Sequence, residues 1–189
     1  MKFEIIYDSN PISVNNYLKP SAVVKGGKAF VHLYETKESK DWKKRFIAYL
    51  KREIRKQNWD VEPTKLGHWF LECYFIQSRT NQDSNNYFKI LADSLADAGV
   101  IDDDKNLLVQ VKRVLYNAKN PRFYAVLRPA EYIGIFNNEK HYTQFFEDNC
   151  FNCKKDSEKC TILRKAKEGR VQEDIKQDNK EFFCKKRKR

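Results

Sequence analysis

The stretch richest in potential chemistry runs from Asp83 through Asn85, Asn86 and Lys89 to Asp93, and ends in the acidic run Asp102-Asp103-Asp104. Carboxylates arranged this way suit a hard divalent cation such as Mg²⁺ or Mn²⁺, which takes oxygen ligands and keeps part of its water shell. Beside a phosphodiester, such an ion polarises the phosphate, helps generate hydroxide and stabilises the leaving oxygen. The same residues also have a plainer use, with Asp83 capping a helix and Asp102 to Asp104 forming an acidic turn. Spacing alone leans toward the plainer use. A helix of about 15 residues rises roughly 22 Å. The acidic run therefore reaches Asp83 only if the chain folds back after Gly99, or if a second copy supplies the missing end.

A second cluster lies near the end of the chain, where Cys150-Phe-Asn-Cys153 is followed by Cys160 and Cys184. Four thiolates form the ligand set that tetrahedral structural Zn²⁺ prefers. The intervals of six and 23 residues match no standard finger. An iron–sulfur cluster, free thiols or redox pairing are the alternatives, and His141 could replace one cysteine. Cys73, alone in an apolar strand, reads as a small core residue.

Particular elements must hold these residues. Phe3 to Tyr7 reads as a first strand, followed by a polar loop over Ser13 to Tyr17. Val23 to Val31 reads as two short strands turned through Gly26-Gly27. From a Ser39 N-cap, Trp42, Phe46, Leu50 and Ile54 recur every four residues, predicting an amphipathic helix with a basic outer face. Gly67 to Gln77 reads as a buried central strand in which Glu72 needs a partner. A second helix is expected from Ser84 to Ala98, burying Tyr87, Ile90, Leu91, Ser94, Leu95 and Ala98 and stopped by Gly99. Two more strands follow, Leu107 to Asn117 and Phe123 to Arg128. The order predicts an α+β domain with a single mixed β-sheet and two main helices. The expected division is residues 1–130 as this domain, 131–148 as a connector that is helical near His141 to Phe146, and 149–189 as a small basic zinc module.

A formal charge of +11 and a pI near 9.3 favour a polyanionic partner, because fixed cations gain free energy by releasing condensed counterions. From Cys150 onward there are 14 Lys and Arg against 7 Asp and Glu, so this tail carries +7 of that charge. A solvated, solubilising tail is the plainer reading. No apolar run approaches the roughly 18 residues needed to cross a bilayer, and Met1 to Ile6 is unlike a signal peptide. The expectation is a cytoplasmic protein without a disulfide framework.

The acidic stretch resembles the signature of the RusA family of Holliday-junction resolvases, Asp-x-Asp-Asn-x-x-Lys leading through Asp-x-Leu to Gly-x-x-x-Asp-Asp. It is met without a gap by Asp83-Ser-Asn85-Asn86, Lys89, Asp93-Ser-Leu95, Gly99 and Asp103-Asp104. Pro11-Ile-Ser-Val-Asn-Asn-Tyr17 is similar to the family's Pro-x-Ser-x-Asn-x-Tyr element, and Phe70 to Tyr74 matches the strand before the acidic motif. The resemblance covers residues 1 to about 130. It implies a Mg²⁺-dependent endodeoxyribonuclease acting as a homodimer on four-way and other branched DNA in recombination and repair. It also implies Asp83, Asn85 and Asp104 as metal ligands, Asp103 as their neighbour and Lys89 as the cation beside the scissile phosphate. Asn86, Arg79, Lys112, Arg113, Asn16 and Tyr17 are expected to contact DNA, with Lys119 and Arg122 as further phosphate contacts.

One departure matters. Asn85 stands where the family has a second metal-binding Asp, so one negative charge is missing unless Asp102, Asp103 or Glu72 compensates. The alternative reading is therefore a junction-binding protein with weak or lost catalysis. A third reading is a general RNA- or protein-binding zinc module.

Overall fold

The computed structural model describes residues 1–178 and 181–188 and divides the chain into two compact units, Met1–Pro129 and Ala130–Arg189. Residues 131–148, expected to be a connector, fall inside the second unit.

The first unit is α+β, with elements β1 (Phe3–Tyr7), α1 (Val14–Tyr17), β2 (Leu18–Lys25), β3 (Lys28–Glu35), α2 (Lys37–Lys56), β4 (Trp69–Gln77), α3 (Phe88–Ala98), β5 (Leu107–Tyr116) and β6 (Arg122–Pro129). Its main sheet has the order β1-β6-β4-β5 and is mixed, because β4 and β5 run parallel whereas β6 opposes both β1 and β4. The single sheet expected from sequence is corrected: β2 and β3 form a separate two-stranded sheet. Their eight residues each pair with one another through to Lys25↔Lys28, across the positive-φ pair Gly26-Gly27.

Alternation along the strands builds the core in rows. Phe3, Leu127 and Leu71 lie side by side, then Ile5, Ala125 and Cys73, then Tyr7, Phe123 and Phe75. Against this layer α2 buries Trp42, Phe46 and Leu50, while α3 buries Ile90, Leu91, Leu95 and Ala98. Each such side chain contributes about 1.5–3 kcal/mol by leaving water. Cys73 is fully buried among them, and burial pushes its thiol up to about 12. On the other sheet face Glu72 is held by Arg128 Nη2 at 2.9 Å and Lys112 Nζ at 3.2 Å. The β4–β5 ladder is irregular between Cys73 and Tyr74, where Val111 and Arg113 take consecutive partners and Lys112 is left between them.

Two local expectations are corrected. The α2 N-cap is Thr36, not Ser39: the Thr36 Oγ1 accepts from the Ser39 backbone N–H, and Ser39 is itself buried in the first turn. The loop expected over Ser13 to Tyr17 closes into the single turn α1, because the Asn16 and Tyr17 N–H groups both bond the Ser13 carbonyl.

The second unit contains α4 (Glu139–Asn149), α5 (Thr161–Lys167), β7 (Ile175–Asp178) and β8 (Glu181–Cys184). Phe136, Phe145, Ile162, Leu163, Ala166 and Ile175 form its own small core. Tyr142 lies beneath Lys167 Nζ at 5.6 Å, a cation–π contact. Arg189, the last residue of the basic run, lies outside the described residues.

Candidate active site

After β4, a short loop brings the chain to Asp83, whose Oδ1 accepts from the Asn85 N–H at 2.9 Å and starts a 3₁₀ turn over Ser84–Tyr87. This turn feeds directly into α3. The helix ends where Gly99 adopts φ 79°, a left-handed conformation open to glycine without strain, and its N–H caps the Leu95 and Ala96 carbonyls. The chain then turns back: the Asp102 N–H bonds Thr64 Oγ1, and Trp59 Nε1 bonds the Val100 carbonyl. Asp103 caps the next 3₁₀ turn and pairs with Lys105 at 2.9 Å, which together hold its carboxyl below the usual range.

This return places Asp104 beside α3. Lys89 Nζ lies 2.6 Å from Asp93 Oδ1 and 3.9 Å from Asp104 Oδ2. The hydrogen bond to Asp93, with added charge from Asp104, raises the Lys89 pKa, so the ammonium is firmly protonated.

A longer polar row continues from there. The Tyr17 hydroxyl lies 2.7 Å from Asp93 Oδ2 and 3.1 Å from Glu35 Oε1, while Lys43 Nζ lies 3.7 Å from Glu35 and 2.8 Å from Asp97. Carboxylate and cation alternate across α1, β3, α2 and α3, with Tyr17 at the centre. Burial and the two facing carboxylates push the Tyr17 phenol well above its ordinary value. Burial alone would lower Lys43, but Asp97 and Glu35 outweigh it and leave it raised.

Tyr17 is therefore corrected as a DNA contact: it is 2% exposed and its hydroxyl is occupied. Its place is behind Lys89. Asn16 is exposed, as are Arg79, Lys112 and Arg113, whereas Asn86 is half-buried. Arg113 and Arg122 line a shallow cleft on the open sheet face with Ile6, Tyr74, Leu115 and Tyr124. Lys112 is already engaged by Glu72. Asp83, Asn85 and Asp104 are exposed oxygen donors of the type Mg²⁺ accepts. Among the described residues, no group of three or more His, Cys, Asp or Glu side chains is arranged to hold a metal ion.

Sequence reasoning missed the roles of Glu35, Lys43 and Asp97. Only the i,i+4 spacing of Lys89 and Asp93 hinted at this network, since Tyr17 and Asp93 lie 76 residues apart.

A family model described as endodeoxyribonuclease RusA matches residues 11–127, more than half of the chain. The chain belongs to the RusA endodeoxyribonuclease family. The RusA match begins at Pro11, ahead of Tyr17, and ends on β6. It therefore takes in the polar row as well as the acidic motif, and leaves the second unit outside. The comparison with curated proteins returned no match. Among solved structures, the OmpA-like domain of FopA1 from Francisella tularensis subsp. tularensis SCHU S4 is similar at 12% identity and a TM-score of 0.25, covering 64% of this chain and 90% of that one. At that score the likeness carries no argument about function.

Proposed function

We propose that this protein is a metal-dependent, structure-selective endodeoxyribonuclease that cuts four-way and other branched DNA as a cytoplasmic homodimer. The observation that carries this reading is the approach of Lys89 to Asp104 within a RusA match that covers the whole acidic motif. Asp83, Asn85 and Asp104 would hold Mg²⁺ or Mn²⁺, with Asp103 adjoining. When bound, the ion supplies Lewis acidity and a hydroxide at the phosphate. The Lys89 ammonium offsets charge that grows on the phosphate in the transition state. Asp93 orients Lys89, and Tyr17 orients Asp93. Asn16, Asn86, Arg79, Arg113, Lys119 and Arg122 would contact the sugar-phosphate backbone, which a junction presents on every arm.

Dimerisation is supported by the β2–β3 hairpin, which among the described residues pairs only with itself and exposes Val24, Val31 and Leu33 at 73%, 70% and 65%. A lone two-stranded hairpin is marginal in water, and an apolar patch of this kind is usually covered. Two copies related by a twofold axis would present two sites to two strands of a junction.

A second reading, junction binding with weak cleavage, is favoured by Asn85, whose amide brings oxygen without charge. Incubating the protein with a synthetic four-way junction and a matched linear duplex, in Mg²⁺, Mn²⁺ or EDTA, separates the two. Metal-dependent nicking confined to the junction supports the nuclease; tight junction binding without nicking supports the second reading.

A further inference from the structure

The second unit lies outside the RusA match, and three of its four cysteines stand at the ends of separate elements. Cys150 caps the C-terminus of α4, and its carbonyl accepts from the Cys153 N–H at 3.1 Å, closing a tight turn. Cys160 is the N-cap residue of α5, reached through a similar turn in which its N–H bonds the Ser157 carbonyl at 3.3 Å. Cys184 ends β8 and opens a third turn, with the Arg187 N–H 3.4 Å from its carbonyl.

Cross-links tie these turns together. The buried Asn149 side chain spans from the last turn of α4 to β8: its Nδ2 donates to the Phe182 carbonyl at 3.3 Å, and its Oδ1 accepts from the Cys184 N–H at 3.0 Å. That clamp ties the residue before Cys150 to the backbone of Cys184. On the other side, the Lys154 N–H bonds the Lys188 carbonyl at 3.0 Å, while the Lys188 N–H points at Cys153 Sγ at 3.5 Å. Cys150, Cys160 and Cys184 all pack on the same small apolar core.

We propose that Cys150, Cys153, Cys160 and Cys184 bind one structural Zn²⁺ that closes the second unit. All four are free thiols, and none is paired in a disulfide. They are not already set as a cage, for no three metal-binding side chains among the described residues stand in ligand arrangement. The Lys188 N–H approaches Cys153 Sγ at 3.5 Å. Backbone N–H donors aimed at sulfur are the outer-shell partners a zinc-bound thiolate uses.

The size of the unit argues the same way. A unit of some 60 residues with six buried apolar side chains among the described residues has a marginal core, and units of this size are commonly stapled by a metal or by disulfides. Zinc is favoured over a hard cation because all four donors are sulfur. Lys154, Lys155, Lys185 and Arg187 adjoin the cysteines in sequence, so the net negative charge of a four-thiolate zinc centre is balanced locally.

Full-length protein purified anaerobically under reducing conditions should contain about one zinc per chain by elemental analysis. Replacement with Co²⁺ should give the intense visible absorption of a tetrahedral thiolate site. Cys153→Ser and Cys184→Ser should each lose most of the metal, while Cys73→Ser keeps it. Because a serine variant could unfold the unit, Cys153→His serves as the second variant: it should retain metal with an altered cobalt spectrum. Less than about 0.2 zinc per chain after reconstitution, iron with labile sulfide in place of zinc, or a disulfide linking any of the four in non-reducing peptide mapping would overturn the proposal.

Discussion

Asp93 accepts from two donors at once, Lys89 at 2.6 Å and Tyr17 at 2.7 Å, so the position of the Lys89 ammonium depends on a phenol on the other side of the carboxylate. Tyr17→Phe removes that support and leaves a half-buried carboxylate one donor short, at a cost of about 1 kcal/mol read as a lower urea midpoint. Junction cleavage should slow several-fold with junction binding unchanged. Cleavage at the parent rate would mean that the network serves folding alone. Asp104→Asn, by contrast, should abolish nicking while leaving junction affinity equal or tighter in a gel-shift assay, because a carboxylate facing phosphate is gone. The companion Asn85→Asp should lower the Mg²⁺ concentration for half-maximal activity. Glu72 provides a pH test. Its carboxyl is lowered from an ordinary 4.5, first by the Arg128 hydrogen bond and further by Lys112. A depressed folded-state value adds stability above the unfolded value of about 4.5, and that stability is lost as pH falls through the lower folded value. Glu72→Gln should therefore be less stable than the parent at pH 6, by about 1 kcal/mol, with the difference in denaturation midpoints shrinking as pH falls below the ordinary carboxylate range.

At the scale of elements, two glycines separate backbone strain from steric room. Gly99 has φ 79° with open space where a Cβ would stand, whereas at Gly134, φ 56°, a Cβ would fall 1.9 Å from the Ala166 carbonyl oxygen. Gly99→Ala should cost about 1 kcal/mol of conformational strain. Gly134→Ala should cost clearly more, because backbone must move, and the loss should appear in amide exchange of residues 130–178 rather than in α3. Equal costs would refute this distinction. Helix α3 was legible from sequence because Tyr87, Ile90, Leu91, Ser94, Leu95 and Ala98 repeat with helical period, and all six are buried. The acidic motif was legible through its resemblance to the RusA signature, which the family match bears out, whereas its spacing alone leaned toward a cap and an acidic turn. The cap of α2 was not, since Thr36 and Ser39 are both good capping residues three positions apart, and tertiary contact decides between them. The central role of Tyr17 was also hidden, because its partners come from β3 and α3 and only the folded chain brings them together.

The molecule as a whole carries two cores on one chain, one inside the RusA match and one beyond it. Strands β2 and β3 leave Val23, Val24, Phe30, Val31 and Leu33 exposed, and the proposed dimer depends on them. Val24→Lys together with Val31→Lys should convert a dimer to a monomer by light scattering and leave the circular dichroism of the first unit intact. A parent protein that is monomeric at tens of micromolar would sink that arrangement. The irregular step in the parallel ladder has a different consequence for the sheet as a two-sided object. On β5, Leu107, Val109 and Val111 pack on the core, yet beyond Lys112 it is Val114 that stands opposite buried Phe75, so the inward positions pass from odd to even numbers. The strand has absorbed one surplus residue without turning itself over. Lys112 is thus the position at which β5 could shorten by one and keep its ladder partners on β4, at the loss of the Lys112 contact to Glu72, whereas losing a residue far from it would exchange inside for outside from that point on.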